Sequence, residues 1–276
     1  PFKARKIGAA HVARNAAQAI ETHLMGHDGA WRPLVYCWRG GQRSGSFASI
    51  LAQIGWRVET LQGGYQSWRR HVVARLYDGD FPFRVIRLDG LTGTAKTDIL
   101  RTAGTLGVQV LDLEGLANHR GSILGDIDGP QPAQKLFETR LTQALASLDP
   151  GRPVLIAAES ARIGALRLPP ALWAAMKSSP RISLTAPPPA RAAYLAAQYQ
   201  SLTATPAALT TRLNGLRSIV GHAKVGGWLA LLAKADHTNL AHALITDHYD
   251  PAYRRARRSD DAAPLYTFAL TDVTPA

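Results

Sequence analysis

The run Phe83-Arg84-Val85-Ile86-Arg87-Leu88 leads into Gly90-Leu91-Thr92-Gly93-Thr94-Ala95-Lys96-Thr97 and then a helical stretch through Leu100. A β-branched strand, a glycine-bearing loop and a helix in that order aim several backbone N–H groups at one point, where phosphate oxygens fit. The loop approximates the phosphate-binding pattern GxxxxGK[ST] in its required context. Gly90 and Gly93 permit the turn, Lys96 neutralises a terminal phosphate, and Thr97 offers a hydroxyl that a phosphate-bound Mg²⁺ can use. One position departs from the pattern: Ala95 stands where glycine is expected before the lysine, which is tolerable if that residue takes helical dihedrals. Glu159, closing the apolar run Leu155-Ile156-Ala157-Ala158, is the leading carboxylate for this site, with Asp112 and Glu114 as rivals.

Around this loop, segments alternate in type. Strands are expected at Val108–Leu113, Pro153–Ala158 and Arg181–Thr185, with helices between them, which argues for a parallel sheet. Pro187-Pro188-Pro189 ends this unit or bends the chain sharply. From Arg191 to about Leu244 the pattern is helical and rich in Ala and Leu, and Arg254–Asp261 is a charge run. Before the loop, an Ala-rich helix is expected from about Ala9 to Leu24 and a short buried strand at Pro33–Tyr36. A helix with Phe47, Ile50, Leu51 and Ile54 on one face follows. A strand near Val58–Leu61, a Gly63-Gly64 turn and a helical Tyr65–Arg70 come next. Asp78-Gly79-Asp80-Phe81-Pro82 reads as a linker. The expected class is α/β, divided as 1–80, 83–188 and a helical, basic-tailed 189–276.

The only cysteine, Cys37, lies between the strand at 33–36 and the following helix, in Cys37-Trp38-Arg39-Gly40-Gly41-Gln42-Arg43-Ser44. Backbone amides at that helix start, with the charges of Arg39 and Arg43, are expected to lower the thiol pKa and make Cys37 a nucleophile. A single cysteine rules out an internal disulfide framework and suits a reducing, cytoplasmic setting. The chain has 276 residues, and no apolar run is long enough to span a membrane. Its 32 Lys and Arg against 20 Asp and Glu give a formal charge of +12. Such an excess favours an anionic partner, nucleic acid first.

Glu114-Gly115-Leu116-Ala117-Asn118-His119-Arg120-Gly121-Ser122 gathers polar groups behind a strand. Arg120 is placed to clamp an anion and His119 to move a proton.

Together these stretches resemble the tRNA 2-selenouridine synthase family, which joins a rhodanese-like domain to a P-loop domain. Cys37–Ser44 is similar to the family's catalytic loop, differing mainly at Gln42, where methionine is expected. Leu61-Gln62-Gly63-Gly64-Tyr65 with Trp68 is similar to the turn that closes a rhodanese domain. Gly90–Thr97 matches the family loop apart from Ala95, and Leu113–Gly121 is the most discriminating stretch. Glu159-Ser160 with Ile163-Gly164, and Tyr249-Asp250-Pro251 with Tyr253, agree more weakly.

The resemblance implies an N-terminal rhodanese-like parallel-sheet domain followed by a P-loop NTPase-like α/β domain. It implies selenium replacing sulfur at C2 of a wobble 2-thiouridine in tRNA, with selenophosphate as donor. A geranylated intermediate made from geranyl diphosphate lies on the route. Cys37 would attack selenophosphate and carry a perselenide, with Arg39 and Arg43 assisting. Gly90, Gly93, Lys96, Thr97, Arg120 and Glu159 would hold the co-substrate, and Mg²⁺ can accompany the diphosphate. No resident metal, membrane or stable protein partner is expected. A complete rhodanese-like domain also carries a first strand that is expected to be missing ahead of Pro1. Three other readings compete. Cys37 to Arg43 fits the Cys-x5-Arg loop of cysteine phosphatases. A plain thiosulfate sulfurtransferase would leave the second loop unused, and an impaired tRNA-binding remnant would show no chemistry.

Overall fold

The computed structural model describes residues 2–39, 41–122, 124–125, 129–158, 160–198, 206–256 and 263–273. The chain divides into two compact units, Pro1–Arg75 and Leu76–Ala276.

The first unit begins with α1 (Phe2–Ala19), whose last turn widens into a π-helical segment, Ile20–Leu24. The helix starts earlier than its Ala-rich stretch implies, because Lys3, Arg5 and Lys6 are themselves good helix formers. β1 (Leu34–Val35) pairs in parallel with β2 (Glu59–Thr60). Between them lies α2 (Gln42–Ile54), and α3 (Tyr65–Tyr77) follows. The strand at 33–36 is not the buried one expected. Leu34 and Tyr36 are exposed, because β2 is its only pairing neighbour among the described residues. The core here is Leu51, Val72 and the buried Trp56, whose indole N–H donates to the Asp28 carbonyl at 2.7 Å.

The second unit is a parallel α/β layer. β3 (Val85–Gly90) is central, flanked by β5 (Val154–Ala157) and β8 (Arg181–Thr185). β4 (Val110–Leu111) and β9 (Tyr266–Ala269) form the edges, giving the order β4-β5-β3-β8-β9, all parallel. Strand alternation with helices produced the expected parallel sheet, but three details differ. β4 is short, because Leu113 opens α5 (Leu113–Ala117), capped by the Asp112 carboxylate accepting from the Gly115 N–H at 2.8 Å. The three prolines start a helix, α8 (Pro188–Gln198); proline suits a first turn whose N–H groups need no partner. Third, β9 was not anticipated: its aromatics lie beyond the charge run and pair with a strand about 80 residues earlier.

The remaining helices are α4 (Lys96–Thr105), α6 (Gln134–Ala146) and α7 (Pro170–Ser178), with a small antiparallel hairpin, β6 (Arg162–Ile163) and β7 (Leu166–Arg167), before α7. After α8 come α9 (Pro206–Gly215), α10 (Arg217–Val220), α11 (His222–Ala233) and α12 (His237–Leu244). A π-helical turn, Ile245–Tyr249, leads into α13 (Asp250–Ala256). Leu88, Leu100, Ala157 and Leu184 form the sheet core, and Leu209, Leu213, Val225, Trp228 and Leu240 form a separate helical one. Among the described residues no helix is long and apolar enough to cross a membrane.

Candidate functional site

The loop from β3 to α4 sits at the carboxyl end of the central strand, where open parallel sheets form their ligand crevices. Gly90 ends β3. Gly93 has φ +85°, and a Cβ there would lie 2.8 Å from the Arg191 carbonyl oxygen, so only glycine fits against α8. Lys96 folds back over the loop, its Nζ donating to the carbonyls of Gly90 at 2.8 Å and Leu91 at 3.4 Å. In this posture the ammonium closes the loop and faces the cavity above it.

Ala95 is left-handed, with φ 56° and ψ 28°, rather than helical as expected. The loop geometry thus demands the conformation that glycine usually supplies, and alanine bears a cost on the order of 1–2 kcal/mol. Its buried methyl belongs to a cluster with Ala192, Leu195, Ala241 and Ile245, and that contact offsets part of the cost.

Among the described residues, Glu114 is the carboxylate that meets the loop's threonine. Its Oε2 accepts from the Thr97 hydroxyl at 2.6 Å. Burial pushes the Glu114 carboxyl above the usual carboxylate range, and Asp112 adds to this. The Thr97 hydroxyl, Lys96 and Arg101 pull the other way. Asp112 is otherwise engaged, capping α5 and pairing with Arg101 Nε at 3.0 Å. Glu159, the leading candidate from the sequence, lies outside the described residues, as does Gly40. His119 is buried, and its Nδ1 accepts from the Gly121 N–H at 3.0 Å, so it braces its own loop.

Gly93, Lys96, Thr97, Glu114 and Arg120 line one cavity of about 890 Å³. Its rim carries the further cations Arg87, Arg101 and Lys177, and its walls include Trp173, Tyr194, Leu195, Tyr249 and Tyr253. A small, almost wholly apolar pocket of about 50 Å³ adjoins it, sharing Thr92, Leu195 and Tyr249 and continuing to Leu209, Leu240 and Leu244. The arrangement can hold a phosphate group at one end and hydrocarbon at the other.

Sequence reasoning missed Arg191, Tyr194 and Gln198, and gave no role to Asp250 and Tyr253 although it singled out their stretch. Arg191 on α8 is 2% exposed and forms a bidentate pair with Asp250 on α13, at 2.9 and 2.7 Å. The same Nη1 donates to the Thr92 carbonyl at 3.1 Å. Asp98 Oδ2 accepts from the Tyr194 hydroxyl at 2.8 Å and from Gln198 Nε2 at 3.2 Å, fixing the first turn of α4. Tyr253 places its ring 5.8 Å from Lys96 Nζ. A signal was present: Arg191, Tyr194, Leu195 and Gln198 share one helical face, and Arg191 is the lone charge in an otherwise Ala-rich helix.

The first unit carries the second group of candidates. Cys37 is partly accessible and its Sγ accepts from the Ser44 hydroxyl at 3.4 Å. The thiol pKa is lowered to about 7, first by that hydroxyl, then by the amides of Ser44, Gly41 and Arg39. Arg39 and Arg43 are both exposed, so water screens their charges, and the lowering is set first by the Ser44 hydroxyl. Gly64, φ +61°, backs onto the cysteine so closely that a Cβ would strike the Cys37 carbonyl oxygen. Tyr65 N–H donates to that same oxygen at 2.9 Å. The Gly63-Gly64 turn therefore braces the Cys37 backbone.

A family model described as the tRNA 2-selenouridine synthase AAA domain matches residues 83–220. Several proteins named tRNA 2-selenouridine synthase are similar to the chain. The one from Alcanivorax borkumensis is 32% identical over 249 residues, covering 79% of this chain and 67% of the relative. The one from Shewanella sp. (strain ANA-3) is 37% identical over 147 residues, 52% of this chain and 39% of the relative. The one from Bdellovibrio bacteriovorus is 34% identical over 166 residues, covering 55% and 43%. The matched stretch thus spans well under half the length of the Shewanella and Bdellovibrio relatives.

Proposed function

Since this chain belongs to the tRNA 2-selenouridine synthase family, we propose that it is a transferase exchanging sulfur for selenium at C2 of a 2-thiouridine in the tRNA anticodon. Selenophosphate is the donor and geranyl diphosphate the activating co-substrate. The observation that carries this reading is the pairing of a phosphate loop with apolar walls. A nucleoside triphosphate would ask for base- and ribose-binding groups, whereas Leu195, Tyr249 and the adjoining apolar pocket suit a prenyl chain.

In this reading Lys96 and the loop amides bind the diphosphate, with Arg120 on the same cavity as a further anion partner. The thiouridine sulfur attacks the prenyl C1, the C–O bond breaks, and diphosphate leaves with the electron pair. Lys96 offsets the charge that develops on it. Thr97 Oγ1 and Glu114 Oε2, 2.6 Å apart, are a hard-oxygen pair that fits Mg²⁺, which would neutralise further charge on the diphosphate. Selenophosphate then adds at C2 through its selenium and geranyl thiol departs, a better leaving group than sulfide; water cleaves the P–Se bond, phosphate leaves and selenium stays on C2. Cys37, ionised near neutrality, engages the selenium donor in the rhodanese-like first unit.

The test supplies 2-thiouridine tRNA, geranyl diphosphate and selenophosphate, then resolves digested nucleosides by mass spectrometry. Lys96→Ala is expected to abolish the geranylated nucleoside. Cys37→Ser is expected to let it accumulate while blocking the seleno product. Selenium incorporation undiminished by Cys37→Ser would sink the assignment of Cys37.

A further inference from the structure

Trp38, the residue after the nucleophile, is 53% exposed, although tryptophan is among the costliest side chains to leave in water. It is held in place nonetheless. Its indole stacks on the Tyr65 ring, with centroids 4.9 Å apart and planes inclined by 17°. Tyr65 is itself tied to the Cys37 carbonyl through its backbone N–H at 2.9 Å. Thiol and aromatic stack are therefore one rigid assembly, fixed by the close approach of Gly64 to the Cys37 backbone. Tyr36, 59% exposed, adds a second aromatic on the other side of Cys37 in sequence.

The charge of the segment that carries this assembly is one-sided. Residues 1–75 contain eleven Lys and Arg against three Asp and Glu. Arg39 and Arg43, both exposed, bracket the thiol loop in sequence. An exposed aromatic stack beside two exposed arginines is what single-stranded nucleic acid requires. Bases stack on the ring and phosphates meet the guanidinium groups.

We propose that the stacked Trp38–Tyr65 pair is the platform on which an unpaired nucleobase of RNA is held beside Cys37. The proposal rests on the reading that the chain acts on tRNA, and it adds the surface that presents the base. Chemistry at a base carbon requires the base to leave its stack, and an aromatic face at the reacting group compensates that loss.

The test uses the full chain with a short oligouridylate as probe, at fixed salt. Its readouts are anisotropy binding and the pH profile of Cys37 alkylation. Trp38→Ala is expected to weaken binding by about 5- to 100-fold, the range for losing one base–aromatic stack. Trp38→Phe is expected to stay within a few-fold of wild type, and the alkylation midpoint is expected to remain near 7 in both variants. Unchanged affinity in Trp38→Ala overturns the proposal, as does failure of phenylalanine to rescue. A loss of affinity accompanied by a moved midpoint also counts against it, since loop damage would then explain the loss. Wild-type conversion of tRNA without any affinity for oligouridylate overturns the platform alone. Intact platform binding without nucleoside conversion overturns the proposed function alone.

Discussion

At Cys37 the order of influences matters more than their number. The Ser44 hydroxyl comes first, amides of the loop follow, and burial works in the opposite direction. A lowered thiol pKa means thiolate accumulates as pH rises through about 7, so alkylation should be half-maximal there. Ser44→Ala should move that midpoint up toward the ordinary thiol value of about 8.5 and slow alkylation at pH 7 several-fold. Arg43→Ala, by contrast, should leave the midpoint in place. A midpoint that follows Arg43 and ignores Ser44 would show that charge dominates after all. Ser44 is 5% exposed and its hydroxyl also lies 3.1 Å from the Gly41 carbonyl, so its proton is shared between two acceptors.

Among the elements, α8 and α13 decide the shape of a loop that neither contains. Arg191 and Asp250, 2% and 6% exposed, are satisfied mainly by one another, and Arg191 reaches the Thr92 carbonyl as well. Removing one partner of such a pair strands the other charge, at a cost of about 3–5 kcal/mol. Asp250→Ala should destabilise the chain by that amount in urea unfolding and weaken diphosphate binding. The double variant Arg191→Leu/Asp250→Leu should recover part of the stability, because no buried charge is left alone, without recovering binding. A double variant that binds diphosphate normally would deny the pair its hold on the loop. The π-helical turn Ile245–Tyr249 belongs to the same device. It immediately precedes Asp250 and places Tyr249 on the cavity wall.

Across the whole molecule, charge is uneven: eleven of the 32 Lys and Arg, but only three of the 20 Asp and Glu, fall within residues 1–75. If that excess meets RNA phosphates, log affinity for tRNA should fall with log salt at a slope of about −4, as for roughly five neutralised phosphates. A slope near zero would remove the electrostatic case for an RNA partner. The parallel sheet was legible because a strand, loop and helix announce themselves within about 15 residues of sequence. The same holds for Gly90, Gly93, Lys96 and Thr97, whose roles follow from spacing along one turn. The carboxylate opposite Thr97 was not legible. Asp112, Glu114 and Glu159 all follow apolar runs in the sequence, and among the described residues it is the short α5 that turns Glu114 toward the threonine. Nor was β9, since pairing with β8 is a contact across about 80 residues that no local pattern encodes. The sequence by itself determined that a strand, loop and helix at 83–105 sit in a parallel α/β unit, and which single residue carries a thiol. Only the tertiary structure decided what stands behind those groups: the Ser44 hydroxyl against Cys37, and Glu114, Arg191 and Asp250 around the β3–α4 loop. Burial and hydrogen-bond geometry set those pairings, and both arise only once distant segments are packed together.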